Sequence, residues 1–188
     1  MIILSLAPRL LVAEELDPRA MAGENWYGLY VTGQKAGYSV ERLTVEEDGT
    51  VYLEQDAQFK ITQGGIPQDI QAIDKRTYGP GGSLIRLSSE IIAATGITRF
   101  EGFVEGDSLV LKMVVGGQES ELTLPRPRET LRDALREARL VQGEPKIGDS
   151  MTYSRFELLH QKEIDGESRI VAVEERTLNG APTKVYKI

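Results

Sequence analysis

The stretch Thr50-Val51-Tyr52-Leu53-Glu54-Gln55-Asp56-Ala57-Gln58-Phe59-Lys60-Ile61, TVYLEQDAQFKI, sorts its side chains by parity. Val51, Leu53, Ala57, Phe59 and Ile61 share one parity, while Tyr52, Glu54, Asp56, Gln58 and Lys60 share the other. A period of two places one set on a core and the other in water, the pattern of a half-buried β-strand. Ser108 to Val115 alternates in the same way, with Leu109, Leu111 and Met113 opposed by Ser108 and Lys112.

On either side of these strands, turn signals recur at Gly33, Glu47-Asp48-Gly49, Gln63-Gly64-Gly65, Gly79-Pro80-Gly81-Gly82, Thr95-Gly96, Glu105-Gly106-Asp107 and Gly116-Gly117. The segments between them have the length and β-branched content of strands joined by hairpins. In Gly37 to Glu46 the parity changes: Tyr38 and Val40 precede Leu43 and Val45 on the other face, and a bulge near Glu41-Arg42 would reconcile them. Ser88 to Ala94 reads as strand. Glu129 to Val141 reads as helix, because Leu131, Ala134, Leu135 and Ala138 form one apolar stripe at helical spacing. Pro125 and Pro127 bar an earlier start, and Gln142-Gly143-Glu144-Pro145 ends it. Strands follow at Asp149 to Leu158, Lys162 to Glu163, Ser168 to Glu175 and Pro182 to Ile188, with Asn179-Gly180 as a hairpin signal.

The expected fold is therefore mainly β: a long antiparallel meander forming a curved sheet or half-barrel, with one amphipathic helix near 129–141 packed against it. Residues 24–188 form one domain. Residues 1–23 are an irregular start, in which Ile2 to Leu6 and Leu10 to Ala13 read as a signal remnant or an apolar first strand. The chain ends on Lys184-Val185-Tyr186-Lys187-Ile188 within a strand pattern, so further polypeptide is expected beyond it.

Composition narrows the chemistry. The 188 residues carry a formal charge of −7, the wrong sign for phosphate backbones, and nucleic acid is excluded as a partner. There is no cysteine, hence no thiolate nucleophile, disulfide or cysteine-bound metal. The single histidine, His160, reads as a strand residue beside Leu158 and Leu159 and not as a general base. Gly79-Pro80-Gly81-Gly82 lacks the Lys-Ser/Thr and the helix of a phosphate-binding loop. The acidic runs Glu46-Glu47-Asp48 and Glu174-Glu175 fall near turns and read as solvated charge. No catalytic, cofactor-binding or metal-ligating residues are assigned, no cofactor is implied, and no segment is long enough to span a bilayer.

Trp26-Tyr27-Gly28-Leu29-Tyr30-Val31-Thr32-Gly33-Gln34-Lys35-Ala36-Gly37-Tyr38 holds the only tryptophan and three of the seven tyrosines. Its aromatics read as cross-strand partners around a glycine turn, with a stacking platform for a sugar or apolar molecule as the alternative. Trp26, Gly28, Tyr30, Gly33, Gly37 and Tyr38 resemble the opening of the N-terminal β-rich region of bacterial transglutaminase-like proteins and of DUF3108-type periplasmic domains. Glu174-Glu175 through Asn179-Gly180 to Tyr186 is similar to the ending of those regions. The resemblance implies an exported, periplasmic, non-catalytic accessory domain, partnered by a downstream Cys-His-Asp catalytic domain or another exported protein. The alternative is a half-barrel of the LolA/LolB type that binds lipid or lipoprotein acyl chains, with Leu53, Phe59, Leu109 and Leu111 as its apolar ligand face. An independent hydrolase is a third reading.

Overall fold

The structure is a computed structural model that describes residues 17–63, 65–142, 145–178 and 180–188. Eight strands run in sequence order as one open antiparallel meander: β1 (Gly23–Val31), β2 (Gln34–Val45), β3 (Val51–Gln63), β4 (Ile66–Tyr78), β5 (Leu84–Ala93), β6 (Gly96–Glu105), β7 (Ser108–Val115) and β8 (Gln118–Pro125). Two helices follow, α1 (Leu131–Ala134) and α2 (Arg136–Leu140), then the hairpins β9 (Ser150–Glu157) with β10 (Lys162–Arg169) and β11 (Ala172–Leu178) with β12 (Ala181–Lys187). The mainly β, antiparallel fold read from the sequence is the fold found.

The register aligns the parity of neighbouring strands into rows. On the core face one row runs Leu43, Leu53, Arg76, Leu87, Gly102, Leu111, Leu122 across β2 to β8. Gly102 is glycine for room: a Cβ there would lie 2.9 Å from Leu87 Cδ1 and 3.0 Å from Leu109 Cδ1. Leu131 of α1, Leu135 between the two helices, and Phe156 and Leu158 from the β9 hairpin close over this face and complete the core with Val51, Leu84, Leu109 and Leu111. The opposite face stays open.

Three local expectations change. The helix divides at Leu135, whose backbone leaves helical geometry at φ −89°, ψ 14°. Thr130 and Asp133 form a capping box that starts α1, so Glu129 lies before the helix. Leu135 is buried, Leu140 is buried in α2, and Ala138 of the sequence stripe is half-buried. Secondly, the register is continuous through Glu41-Arg42 and no bulge is needed there: Tyr38 and Val40 lie on the open face and Leu43 and Val45 on the core face. The irregularity falls earlier, where Leu29 pairs with Gly37 and Tyr30 with Lys35, leaving Ala36 as the extra residue. Finally, Lys162 to Glu175 forms two strands with a break at Ile170-Val171. Asn179, Gly64 and 143–144 lie outside the described residues, as does most of the irregular start at 1–23; its last part is a 3-10 turn, Pro18–Met21, leading into β1.

Candidate functional site

β1 is an edge strand, so its open-face side chains have neighbours on one side only. Trp26 is 64% exposed and Tyr30 56% exposed. Gly28 between them carries no side chain, and the Tyr30 ring leans on it, 3.0 Å from where a Cβ would stand. The Tyr38 ring lies across on β2, its centroid 5.7 Å from that of Trp26. Trp26 Nε1 donates to Glu24 Oε1 at 2.7 Å and the Tyr38 hydroxyl donates to Gln58 Oε1 at 2.9 Å, which orients both rings. Gly37 permits a close approach to β3, since a Cβ would fall 1.9 Å from the Gln58 carbonyl oxygen. Gly33, at φ +80° after Thr32 at +49°, makes the turn. The signature residues thus build one exposed aromatic corner. Trp26→Ala is expected to change stability by no more than about 1 kcal/mol, checked by urea unfolding, because little of the ring is buried.

From this corner a row of alternating charge crosses the open face: Glu24, Arg42, Glu54, Lys75, Ser88, Glu101, Lys112, Glu121, one residue from each strand. Arg42 bonds Glu24 at 3.0 Å and Glu54 at 3.2 Å, and Lys75 bonds Glu54 at 2.8 Å. Arg86 pairs with Glu101, and Arg99 with Glu90 in the adjacent row. Over β4 to β8 lies a trough of about 810 Å³, with Ile73, Phe100, Met113 and Val114 among the charged and polar residues that line it. Opposite charges facing across strands reinforce the register.

A second polar cluster lies between the sheet and its cover. Glu129, 2% exposed, accepts from Arg76 Nη1 at 2.6 Å, from the Tyr78 hydroxyl at 2.6 Å and from the Phe156 backbone N–H at 2.9 Å. Burial would push the Arg76 guanidinium down, and Glu129 and Asp74 more than offset it, so its pKa stands above the ordinary arginine value. Burial, and then Glu129, hold the Tyr78 hydroxyl well above the usual tyrosine range. Alongside is a cavity of about 30 Å³ lined by Glu41, Gln55, Asp74, Glu137 and Ser154 among others, the space of a single water and too small for a substrate.

Glu41 lies at this cavity and accepts from the Tyr27 hydroxyl at 3.4 Å. Burial and the neighbouring Glu137 raise its pKa, against the opposing pull of Tyr27, Arg136 and Arg155. The folded chain therefore holds this proton more tightly than the unfolded chain. Its contribution to stability is greatest below the ordinary carboxylate pKa and declines as pH rises through the folded value. Glu41→Gln, neutral and still an acceptor for Tyr27, is expected to melt at a higher temperature than the native chain at about pH 7, the gap closing toward about pH 4.5. Melting curves at the two pH values check this.

Comparison with family models, with curated proteins and with solved structures gives no match.

The residues expected to form an apolar ligand face separate on folding. Leu53, Leu109 and Leu111 are buried in the core beneath Leu131 and Leu135. Phe59 shares the face of Leu53 but lies further along β3, half-buried and apart from the main cluster. The trough lies on the opposite face. His160 is exposed, with Nδ1 2.7 Å from Glu157. Among the described residues no group of three or more His, Cys, Asp or Glu has the arrangement of a metal site, and no helix is long and apolar enough to cross a membrane. The Arg76–Glu129 pair and the charge row were missed at the level of sequence. Period-two alternation marks the open-face positions but not which charges will meet.

Proposed function

We propose that this protein is a non-catalytic binding and scaffolding module, the exported accessory region of a transglutaminase-like protein, which seats its catalytic partner on the open sheet face. One observation carries the reading. The trough has most of its charges paired between neighbouring strands, while Glu41, the carboxylate with a raised pKa, is half-buried at a 30 Å³ cavity on the core side of the sheet. Acid–base chemistry needs a perturbed group within reach of substrate, and this one faces the interior. A broad trough with fixed, alternating charges suits a folded protein surface of complementary pattern.

The lipid-carrier alternative has less support. Leu131 and Leu135 occupy the face that would hold an acyl chain, and a chain laid in the trough would bury Lys75, Arg99, Glu101 and Lys112 against hydrocarbon. The hydrolase reading needs a substrate to reach Glu41.

The test is isothermal titration with a purified Cys-containing transglutaminase-like catalytic domain as the probe. Binding at micromolar concentration, weakened at least tenfold by Arg99→Glu, supports the proposal. Absence of binding, displacement of an apolar fluorescent probe by fatty acid, or ester or amide turnover by this chain alone that Glu41→Gln abolishes would each overturn it.

A further inference from the structure

We infer that β1 is a self-complementary edge through which two copies of this chain pair antiparallel, Gly23–Val31 of one against Val31–Gly23 of the other, with Tyr27 on the two-fold axis.

The phase of the free edge follows from the hairpin turn. Thr32 and Gly33 both have positive φ and form a two-residue turn between the paired Val31 and Gln34. Such a primed turn is flanked by a pair that exchanges both backbone hydrogen bonds, and hydrogen-bonding alternates along the strand from there. Val31, Leu29, Tyr27, Asn25 and Gly23 therefore direct their N–H and C=O groups at β2. Tyr30, Gly28, Trp26 and Glu24 direct theirs away from the sheet. All four are exposed, and their side chains lie on the open face.

The two edges of the meander are protected differently. β8 carries Glu119 and Glu121 and ends on Pro125, devices that block strand addition. β1 has no proline and one charged residue, Glu24. Two such edges bond only when outward residues face outward residues. The register that pairs all nine residues meets this condition: Trp26 falls opposite the partner's Gly28, and Glu24 opposite the partner's Tyr30.

Shape and charge agree with that register. Each Trp26 ring meets Gly28 of the facing strand, which has no side chain, so it can lie on the glycine backbone beside the Tyr30 ring already there. The strand has an acidic end at Glu24. At its other end Tyr30 pairs with Lys35. A two-fold axis brings the acidic end of each copy to the basic end of the other. Four outward pairs supply about eight interchain hydrogen bonds. An edge contact of this kind buries roughly less than 1,200 Å², which makes the dimer weak and concentration-dependent.

The absence of native cysteine permits a clean test on the full chain. In the proposed register Asn25 lies opposite the partner's Leu29 in a non-hydrogen-bonded pair, about 4.5 Å between Cα atoms and within disulfide reach. Along one strand the same residues are about 13 Å apart and cannot join. Asn25→Cys mixed with Leu29→Cys should give a disulfide dimer on mild oxidation, and Asn25→Cys mixed with Val31→Cys should not. Sedimentation equilibrium should show dimerisation of the native chain at roughly 0.5 mM. Trp26→Lys should leave the melting temperature within a few degrees and shift the association at least tenfold toward monomer. A native chain that stays monomeric at that concentration, or cross-linking through Val31 in preference to Leu29, overturns the inference.

Discussion

Glu129→Ala is expected to lower stability by about 3–5 kcal/mol, because it removes one partner of a buried ion pair and strands the other. Arg76, 5% exposed, would keep Asp74 at 3.7 Å and the Phe156 carbonyl at 3.3 Å as its remaining acceptors. The Tyr78 hydroxyl and the Phe156 N–H would lose the acceptor they share. Glu129 and Asp74 keep Arg76 charged against the opposing effect of burial, while burial and Glu129 keep Tyr78 neutral, so the ion pair and the hydroxyl form one fixed arrangement. Urea unfolding at constant slope measures the loss. Replacing both charges by apolar residues, Arg76→Met with Glu129→Met, is expected to recover much of it, since neither ion then remains unpaired. A loss below about 1 kcal/mol in Glu129→Ala would mean that the cluster does not hold the covering segment to the sheet.

Leu111→Ala is expected to cost about 2–5 kcal/mol, the range for deleting a fully buried leucine side chain. Leu111 is 0% exposed and sits in the core row between Gly102 and Leu122. The same substitution separates core from ligand face. If Leu111 lined an acyl pocket, truncation would change fatty-acid affinity at small cost in stability. If it packs beneath the helices, stability falls and no fatty-acid binding is there to change. Equilibrium unfolding together with displacement of an apolar fluorescent probe gives both readouts. Phe59→Ala, at a half-buried position outside the main cluster, should cost less than Leu111→Ala.

Many features with a local cause were legible in the sequence. Alternation in TVYLEQDAQFKI, glycine-centred turns and the stripe Leu131, Leu135 come from side-chain periodicity, which needs no knowledge of the partner strand. The Thr130–Asp133 capping box shortened the helix because two short side chains satisfied the backbone before Leu131, which left Glu129 free to turn inward. The site was less legible. Trp26 looks like core by composition and is exposed by position, because an edge strand is covered on one side only. Glu24, Arg42, Glu54 and Lys75 each look like ordinary solvated charge, and only the register shows that they form one row.

Most strands and turns, and the absence of thiol chemistry, follow from residue type and from neighbours a few positions away. Tertiary structure alone decided which face closes and which stays open. Leu53, Leu109 and Leu111 are far apart in the chain and share the face that the segment after β8 covers, and the cover is held there by Arg76 reaching Glu129 across 53 residues. Pairings over such distances depend on the summed register of the strands between them, which no local pattern encodes.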